Sequence, residues 1–263
     1  MGTTISVLSQ KGGTGKTTLV RNIADIFQRV GINTLAIDLD PQGNLSDYFD
    51  VSPDATPTLG EVLAGQARAT DAIHAGVIPA NLGLAEAELM LSGKMGREMT
   101  LKRALMDVKR RHDVVMIDCP PTLGLLTVNA LVAADYALLS TEAQYFSLQG
   151  VEQALQVLEL AKENLNPALD WLGIVMNIAD LRTVHSREAL KSLQESFGDK
   201  VFDASIRQSI GYAEAAERGI PIIDYRPDLG RDYVQLADEL LERLDMDEHR
   251  EGLQQLQAEV VAA

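Results

Sequence analysis

Residues 11–18 read KGGTGKTT, and they separate two segments of different character. The short apolar run at residues 5–9 precedes them, and residues 19–24 follow with the apolar spacing of a helix. A strand, a glycine loop and a helix in this order form the setting in which a loop binds phosphate. Glycines let backbone N–H groups face inward, and the helix N-terminus adds partial positive charge. The stretch therefore predicts an anion-binding loop.

The side chains of this loop indicate which anion it binds. Lys16 is placed to reach the β- and γ-phosphates of a nucleotide, and the Thr17 hydroxyl is placed to bind a magnesium ion. The loop departs from the usual pattern G-x-x-x-x-G-K-[ST], because Gln10 stands where the first glycine is expected. It also has a second lysine, Lys11, which the usual pattern does not contain. A complete interpretation has to explain that extra lysine.

The composition is that of a globular protein. The 263-residue chain is 46 % hydrophobic and 23 % charged, and its formal net charge is −15. This acidity argues against a protein wrapped in nucleic acid, although a local basic patch stays compatible with it. With a single cysteine, Cys119, no intrachain disulfide can form, which is typical of a reducing cytoplasm. No apolar run approaches the ~20 residues that span a bilayer, so we expect a cytoplasmic protein.

Strand-like apolar runs alternate with helical patterns along the rest of the chain. Strands are predicted at residues 34–38, 114–118, 137–140, 172–177 and 201–202, and helices at about 98–111, 123–133, 148–164, 186–197, 208–217 and 229–245. This alternation predicts an α/β fold, a doubly wound and mostly parallel sheet with helices on both faces. Residues 1–245 are expected to form one domain. Residues 246–263 are expected to form an acidic helical tail that packs on the protein or binds a partner.

Two of the predicted strands end in aspartate. Asp118 follows four apolar residues, about 100 residues after the loop, and this is the pattern of a Walker B strand whose carboxylate holds magnesium. Asp38 and Asp40 lie where the strand at 34–38 meets a Pro/Gly turn. The carboxyl ends of parallel strands share one edge of the sheet, where ligands bind. Both residues could serve that site, or could only cap the turn, since Asp-Pro commonly opens turns.

Three motifs together identify a family that this chain resembles. Residues 11–18 (KGGTGKTT), 38–44 (DLDPQGN) and 118–131 (DCPPTLGLLTVNAL) resemble the nucleotide-site motifs of ParA-type ATPases. These proteins belong to the deviant Walker A group of P-loop NTPases, which also includes MinD. The likeness extends from residue 4 to about residue 245. It implies a doubly wound sheet and a homodimer that closes around ATP and Mg²⁺.

The resemblance also implies a role for each site residue. Lys11 would reach across the dimer interface to the phosphates held by the other subunit, where a positive charge counts for more than in water. Lys16 would bind phosphate in its own subunit, and Asp40 would orient or activate the attacking water, so Lys11, Lys16 and Asp40 are the expected catalytic residues. The nucleotide is expected to contact Lys11, Gly12, Gly13, Thr14, Gly15, Lys16, Thr17, Thr18 and, at the adenine edge, Asn177. The metal is expected at Thr17, Asp38 and Asp118.

The function implied by the resemblance is the positioning of a cargo. In this family a slow ATPase binds non-specific DNA, usually the nucleoid, as an ATP-bound dimer, and a cargo-bound partner protein stimulates hydrolysis. The cargo would be a plasmid, a chromosome or a protein assembly. The arginines expected to contact DNA are Arg207, Arg218, Arg226 and Arg231. This part of the chain departs from the family pattern, because it reads Arg207-Gln208-Ser209 where Pro-Arg-Asn is common and because acidic residues surround these arginines.

Four other functions are weighed against this one. A MinD-like membrane ATPase would need a basic amphipathic tail, whereas this tail is acidic. An electron carrier like nitrogenase reductase would need two cysteines per subunit, and a small-molecule kinase would have less use for Lys11. A nucleotide-dependent adaptor would act on a protein partner without binding DNA and would hydrolyse ATP negligibly. Asp40 argues against the adaptor.

Overall fold

The computed structural model describes residues 1–142 and 147–262 of the chain. In this part of the molecule seven strands form one sheet, and every paired neighbour is parallel. The strands are β1 (Thr3–Leu8), β2 (Thr34–Asp38), β3 (Val77–Ile78), β4 (Val114–Asp118), β5 (Tyr136–Glu142), β6 (Asp170–Ala179) and β7 (Val201–Arg207). Their order across the sheet is β3-β2-β4-β1-β5-β6-β7. The predicted doubly wound parallel sheet is confirmed.

Helices connect the strands and cover both faces of the sheet. In the described residues they are α1 (Lys16–Arg29), α2 (Asn44–Tyr48), α3 (Leu59–Ala64), α4 (Gly83–Ser92), α5 (Thr100–Ala104), α6 (Met106–Lys109), α7 (Leu125–Ala133), α8 (Ser147–Asn164), α9 (Val184–Phe197), α10 (Gly211–Glu217), α11 (Ile222–Tyr225), α12 (Pro227–Arg243) and α13 (Arg250–Ala262). Short 3₁₀ turns lie at Ala69–Ala72, Arg97–Met99, Gly198–Lys200 and Asp247–His249.

Two hydrophobic cores lie on opposite faces of the sheet. Apolar residues of α3 to α9 pack on one face, and those of α1, α2 and α10 to α13 pack on the other. Successive residues of a strand contribute to opposite cores: Ile5 and Val7 of β1 belong to the core that includes α1, whereas Leu8 belongs to the other core. Burial on both faces explains why these strands read as continuous apolar runs rather than as alternating ones.

The strand order places the phosphate loop in the middle of the carboxyl edge. β1 leads into the loop and lies between β4 and β5. The register sets Val7 of β1 opposite Asp118 of β4, and Asp118 opposite Asp38 of β2. Leu8, the last residue of β1, lies opposite Leu139 in the middle of β5. The ends of three neighbouring strands therefore supply side chains to one site, as open parallel sheets commonly do.

Several element boundaries differ from the sequence predictions. The helix predicted at 98–111 is a 3₁₀ turn followed by α5 and α6, which meet at Leu105. Leu101, Leu105 and Val108 are buried on one side, so the apolar spacing continues across the joint and hides it from the sequence. The two-residue strand β3 is too short to give a pattern. β7 continues to Arg207, beyond the predicted residues 201–202. It is an edge strand whose exposed positions, such as Asp203, interrupt the apolar run, so the sequence indicated only its first two residues.

The C-terminal helix α13 packs against α12. Leu253 and Val260 are buried in the core on that side. Arg250 forms ion pairs with Asp238 of α12, in which Nε and Nη2 donate to the two carboxylate oxygens at 2.8 Å each. Residues 250–262 thus pack on the protein, and binding of a partner by this segment stays a prediction. Residue 263 lies outside the described residues.

Candidate functional site

The loop between β1 and α1 has the backbone geometry of an anion cradle. Gly13 and Gly15 have φ angles of 82° and 77°, in the left-handed region that favours glycine. Gly15 caps the N-terminus of α1, whose first backbone N–H groups have no partner within the helix. A side chain at Gly15 would also approach Asn177 Nδ2 within 3.3 Å, so no larger residue fits without displacement. The loop therefore presents backbone N–H groups and a helix N-terminus to one point.

Lys16 is the lysine that lies inside the cradle. It is 7 % exposed, and its Nζ donates to Ser9 Oγ at 2.7 Å, while Ser9 Oγ donates to the carbonyl oxygen of Lys11 at 2.7 Å. Burial lowers the pKa of Lys16, and the nearby carboxylate of Asp118 opposes that shift most strongly. The ammonium group is thus desolvated, held by the Ser9 hydroxyl and stabilised by the nearby charge of Asp118. A phosphate entering the cradle would meet a charge that is already in position.

A hydroxyl and a carboxylate stand together beside Lys16. Thr17 Oγ1 donates to Asp118 Oδ2 at 2.6 Å, and Asp118 Oδ1 is buried without a hydrogen-bond partner among the described residues. Burial, together with the charge of Asp38, raises the pKa of Asp118 to about 7. Hydroxyl and carboxylate oxygens are the ligands that Mg²⁺ prefers, and this ion usually keeps several waters besides. Thr17 and Asp118 therefore fit a magnesium site.

Asp38 organises the turn behind that pair. Its Oδ1 accepts from the Asp40 backbone N–H at 3.1 Å, and its Oδ2 accepts from Ser46 N–H at 2.8 Å and Ser46 Oγ at 2.7 Å. The residue is fully buried, and burial raises its pKa to about 6. Both oxygens are thus engaged in holding the segment that follows β2. The metal-binding role of Asp38 stays a prediction, and its contacts show a structural role beside it.

Asp40 lies at the edge of the site. It is partly buried, and its Oδ1 accepts from the Gln42 backbone N–H at 3.0 Å, the contact of a turn cap. Asp40 also contributes to the electrostatic field around Lys16. The structure therefore shows the turn-capping role considered above, and it keeps the carboxylate near the loop. Its action on the attacking water stays a prediction.

A buried chain of hydrogen bonds supports the loop from behind. Ser140 Oγ donates to the carbonyl oxygen of Thr14 at 2.7 Å, and Asn177 Nδ2 donates to Ser140 Oγ at 2.6 Å. Asn177 is 1 % exposed, so the structure places it against the loop, and its contact with adenine stays a prediction. Sequence analysis missed Ser9, Ser46 and Ser140. Ser9 follows β1, Ser46 lies within α2 and Ser140 lies within β5, and nothing in the local sequence marks them as site residues.

The remaining loop residues surround these groups. Thr14 is buried, and its Oγ1 has no hydrogen-bond partner among the described residues. The carbonyl oxygen of Thr18 accepts from Asn22 Nδ2 at 2.8 Å, which ties the first turn of α1 together. Gly12 is exposed beside Pro121. The structure thus gathers all the predicted loop residues around one cradle.

Lys11 differs from Lys16 in its exposure to solvent and in its partner. Its side chain is 69 % exposed, and its Nζ lies 3.8 Å from Glu142 Oε2 at the end of β5. Glu142 is another site residue that sequence analysis missed, because only the pairing of β5 with β1 brings it to the loop. The two lysines therefore occupy separate places, one inside the cradle and one at its mouth.

The four arginines predicted to contact DNA are engaged within the protein. Arg207 Nε and Nη2 donate to the carboxylate of Asp232 at 2.8 and 2.6 Å, and Arg226 pairs with Asp228 at 2.8 Å. Arg231 Nη2 donates to carbonyl oxygens at the C-terminal end of α13. The Arg218 guanidinium lies 5.2 Å from the centroid of the Tyr225 ring. Neighbouring carboxylates thus offset the positive charge of Arg207 and Arg226, whereas Arg231 is held by backbone carbonyl oxygens and Arg218 lies against a ring.

In residues 1–142 and 147–262, no helix combines the length and the apolar character needed to cross a membrane.

Comparisons with known proteins agree with the geometry of the site. The protein family described as an AAA domain matches residues 2–171. The chromosome-partitioning ATPase Soj of Treponema pallidum is 37 % identical over 251 residues, which cover 92 % of this chain and 98 % of that protein. The chromosome partitioning protein ParA of Caulobacter vibrioides is 35 % identical over 252 residues, covering 91 % and 94 %.

Solved structures show the same fold with nucleotide and metal bound. Cobyrinic acid a,c-diamide synthase from Mycobacterium smegmatis with bound ADP and magnesium has a TM-score of 0.75 and 36 % identity, covering 83 % of this chain and 93 % of its own. The septum site-determining protein MinD from Pyrococcus horikoshii, complexed with Mg-ADP, has a TM-score of 0.76 and 27 % identity, covering 91 % and 96 %. The cradle, the Thr17–Asp118 pair and these similarities lead to one conclusion. The chain belongs to the ParA/MinD family of partitioning and positioning ATPases, and it is an ATP hydrolase whose cofactors are ATP and Mg²⁺.

Proposed function

We propose that this protein is an ATP-gated dimer that positions or segregates a cargo, with residues 1–245 acting as one ATPase domain. The observation that carries the proposal is the separation of the two loop lysines. Lys16 fills the cradle of its own subunit, whereas Lys11 stands at the mouth with an exposed side chain. From that place the Lys11 side chain would reach phosphates held by a second copy of the chain. ATP would then be the signal that joins two subunits.

The proposed catalytic cycle assigns a task to each group of this chain. Lys16 and the loop N–H groups bind the phosphates, Thr17 and Asp118 hold the metal, and Asp40 orients or activates the attacking water. Mg²⁺, when bound, neutralises negative charge on the β- and γ-phosphates. Lys11 of the opposite subunit adds positive charge where charge develops in the transition state, in an interface from which water is largely excluded. Turnover is then slow unless the dimer is correctly assembled.

The ATP-bound dimer is proposed to bind non-specific DNA of the nucleoid, and a cargo-bound partner is proposed to stimulate hydrolysis and so release it. The relatives named for chromosome partitioning support this proposal. The DNA contact would use Arg207, Arg218, Arg226 and Arg231. No membrane partner is included, because the apolar residues Leu253 and Val260 of α13 are packed in the core rather than presented to a lipid surface. The protein would therefore be cytoplasmic and nucleoid-associated.

Changing Asp40 to alanine tests the dimer directly. Loss of the water-positioning carboxylate should slow hydrolysis by about 10²-fold or more, in the range measured for general acid–base groups. ATP binding should persist, because Asp40 does not line the cradle itself. Asp40→Ala in saturating Mg·ATP should therefore accumulate as a dimer, seen in light scattering as a doubling of the 28.6 kDa monomer mass. Asp47→Ala, an exposed aspartate in α2, is the matched control. A monomer in saturating ATP would refute the gated dimer.

A gel-shift experiment tests the DNA proposal. The ATP-bound protein should shift duplex DNA of any sequence at about 50 mM salt, and the shift should disappear as salt rises, because phosphate contacts release counterions. Arg218→Glu should weaken binding most among the four arginines, since Arg218 is exposed and pairs with no carboxylate in the described residues, whereas Arg231 is half-buried and donates to carbonyl oxygens of α13. Lys191→Glu, at an exposed position of α9, serves as the control for net charge. Absence of any shift at that salt concentration would favour the adaptor function, which the paired arginines already make the second candidate.

A further inference from the structure

A carboxylate lies at the mouth of the anion-binding loop. Glu142 ends β5, the strand that pairs with β1. Its Oε2 is 3.8 Å from Lys11 Nζ, and its Oε1 is 3.6 Å from the point where a Cβ on Gly13 would stand. The Glu142 side chain is only 14 % exposed, whereas that of Lys11 is 69 % exposed. A largely buried negative charge therefore sits beside a loop built to bind a negative ligand.

The Glu142 carboxylate and a bound triphosphate would compete for the same surroundings. A triphosphate in the cradle would bring several negative charges close to Glu142, and like charges in a partly desolvated place repel. The phosphates held by a second subunit would also offer Lys11 a stronger electrostatic partner than a single carboxylate does. Nucleotide binding and the Lys11–Glu142 ion pair consequently oppose each other. The Lys11–Glu142 ion pair can therefore influence nucleotide binding as well as local packing.

The fold also leaves room for the carboxylate to move. Beside the loop lies a cavity of about 180 Å³, lined by Ser9, Gln10, Lys11, Thr14, Glu142 and Gln149 among others. This space would let the Glu142 side chain change its rotamer while β5 keeps its place, although most of the cavity wall is apolar. By contrast, Lys16 has no such freedom, because Ser9 and the wall of the loop enclose it.

We propose that Glu142 is a positioning residue that retains Lys11 on its own subunit until ATP binds. The γ-phosphate end of ATP displaces the Glu142 carboxylate and so removes one of the contacts that keep Lys11 on its own subunit. Glu142 thus sets the ATP concentration at which the dimer forms. This inference rests on the proposed ATP-gated dimer, and it adds the residue that controls the threshold.

The experiment uses the isosteric change Glu142→Gln in the full-length protein. At a fixed protein concentration, the ATP concentration for half-maximal dimerisation should fall about fivefold, the factor expected for one partly exposed ion pair. The KM for ATP should fall by a larger factor than kcat changes, a split that simple loss of stability would not produce. Glu152→Gln, an exposed glutamate of α8, should leave both quantities unchanged. Glu142→Asp, which shortens the side chain, should shift the threshold in the same direction but less.

The possible outcomes separate the inference from the proposed function. If wild type and Asp40→Ala dimerise with ATP while Glu142→Gln needs as much ATP as wild type, or more, the role of Glu142 is refuted and the dimer stands. If wild type stays monomeric in ATP, the dimer is refuted, and the affinity of Glu142→Gln for Mg·ATP still decides whether the carboxylate opposes nucleotide. Unchanged affinity in that case refutes the inference as well. Should Glu142→Gln fail to fold, Glu142→Asp decides by the same criteria.

Discussion

Lys11→Ala should lower ATP turnover by about 10²-fold or more while leaving nucleotide binding almost intact. The size follows from the cost of removing one preorganised charged or hydrogen-bonding group from a transition state in a water-poor site. Binding should survive because Lys16, Thr17 and the loop N–H groups remain, and because Lys11 lies at the mouth of the cradle rather than within it. Turnover is measured as phosphate release, and binding by titration with a fluorescent ATP analogue.

Two further measurements show whether the effect of Lys11→Ala is specific to the contact across subunits. Stimulation by any partner should also be lost in Lys11→Ala, since the partner would act on a dimer whose trans contact is missing. Lys94→Ala, which removes an exposed lysine far along the chain, should behave as wild type. Turnover that is unchanged in Lys11→Ala would show that the lysine has no catalytic role across subunits. Loss of nucleotide binding would instead place Lys11 in the cradle with Lys16.

Asp118→Asn should abolish magnesium-dependent turnover and at the same time stabilise the nucleotide-free protein at pH 8. The pKa of Asp118 is raised to about 7 in the folded protein, against 3.8 in the unfolded chain, because the group is buried and lies near Asp38. The folded protein thus holds protons that the unfolded chain has lost between pH 4 and pH 7. Stability from this group is complete below pH 4 and is lost as the pH rises through 7. Asparagine keeps an acceptor for Thr17 and carries no charge to desolvate.

The pH profile distinguishes this cause from general charge repulsion in an acidic protein. Wild type without nucleotide should lose on the order of 2 kcal/mol of unfolding free energy between pH 5.5 and 8 through this group. Asp118→Asn should flatten that loss, whereas Asp54→Asn at an exposed turn should not. Denaturant unfolding at several pH values provides the measurement. An Asp118→Asn variant with the pH dependence of wild type would mean that the carboxylate is not desolvated as the structure indicates.

The sequence predicted the site best where one short segment contains most of the groups that bind phosphate. The loop at 11–18 and the aspartates Asp38 and Asp118 follow directly from strand ends next to glycine or proline, and they lie together as predicted. The parallel sheet also follows, because strands buried on both faces must read as apolar runs. The sequence did not predict features that leave the apolar spacing unchanged, such as the joint between α5 and α6 at Leu105. It also did not predict elements that are too short to give a pattern, such as β3.

Contacts between distant segments could not be predicted from the sequence. Glu142 and Ser140 reach the loop only because β5 pairs with β1, more than 120 residues away along the chain. Arg207 and Asp232 are 25 residues apart, and no local rule makes them partners. The engagement of both Asp38 oxygens by the turn at Ser46 is of the same kind. Register and side-chain geometry decide such contacts, and neither is encoded in spacing alone.

The position of β1 in the sheet has a consequence for the synthesis of the protein. β1 is made first, yet both of its neighbours, β4 and β5, come more than 100 residues later. At about 5–20 residues per second, the ribosome needs roughly 5–20 s to deliver β4. During that interval an apolar strand with unpaired edges has no partner, and such non-local pairing is also intrinsically slow. The strand that leads into the phosphate loop therefore stays without its native neighbours for most of this interval, and it needs protection from non-native pairing until β4 and β5 are made.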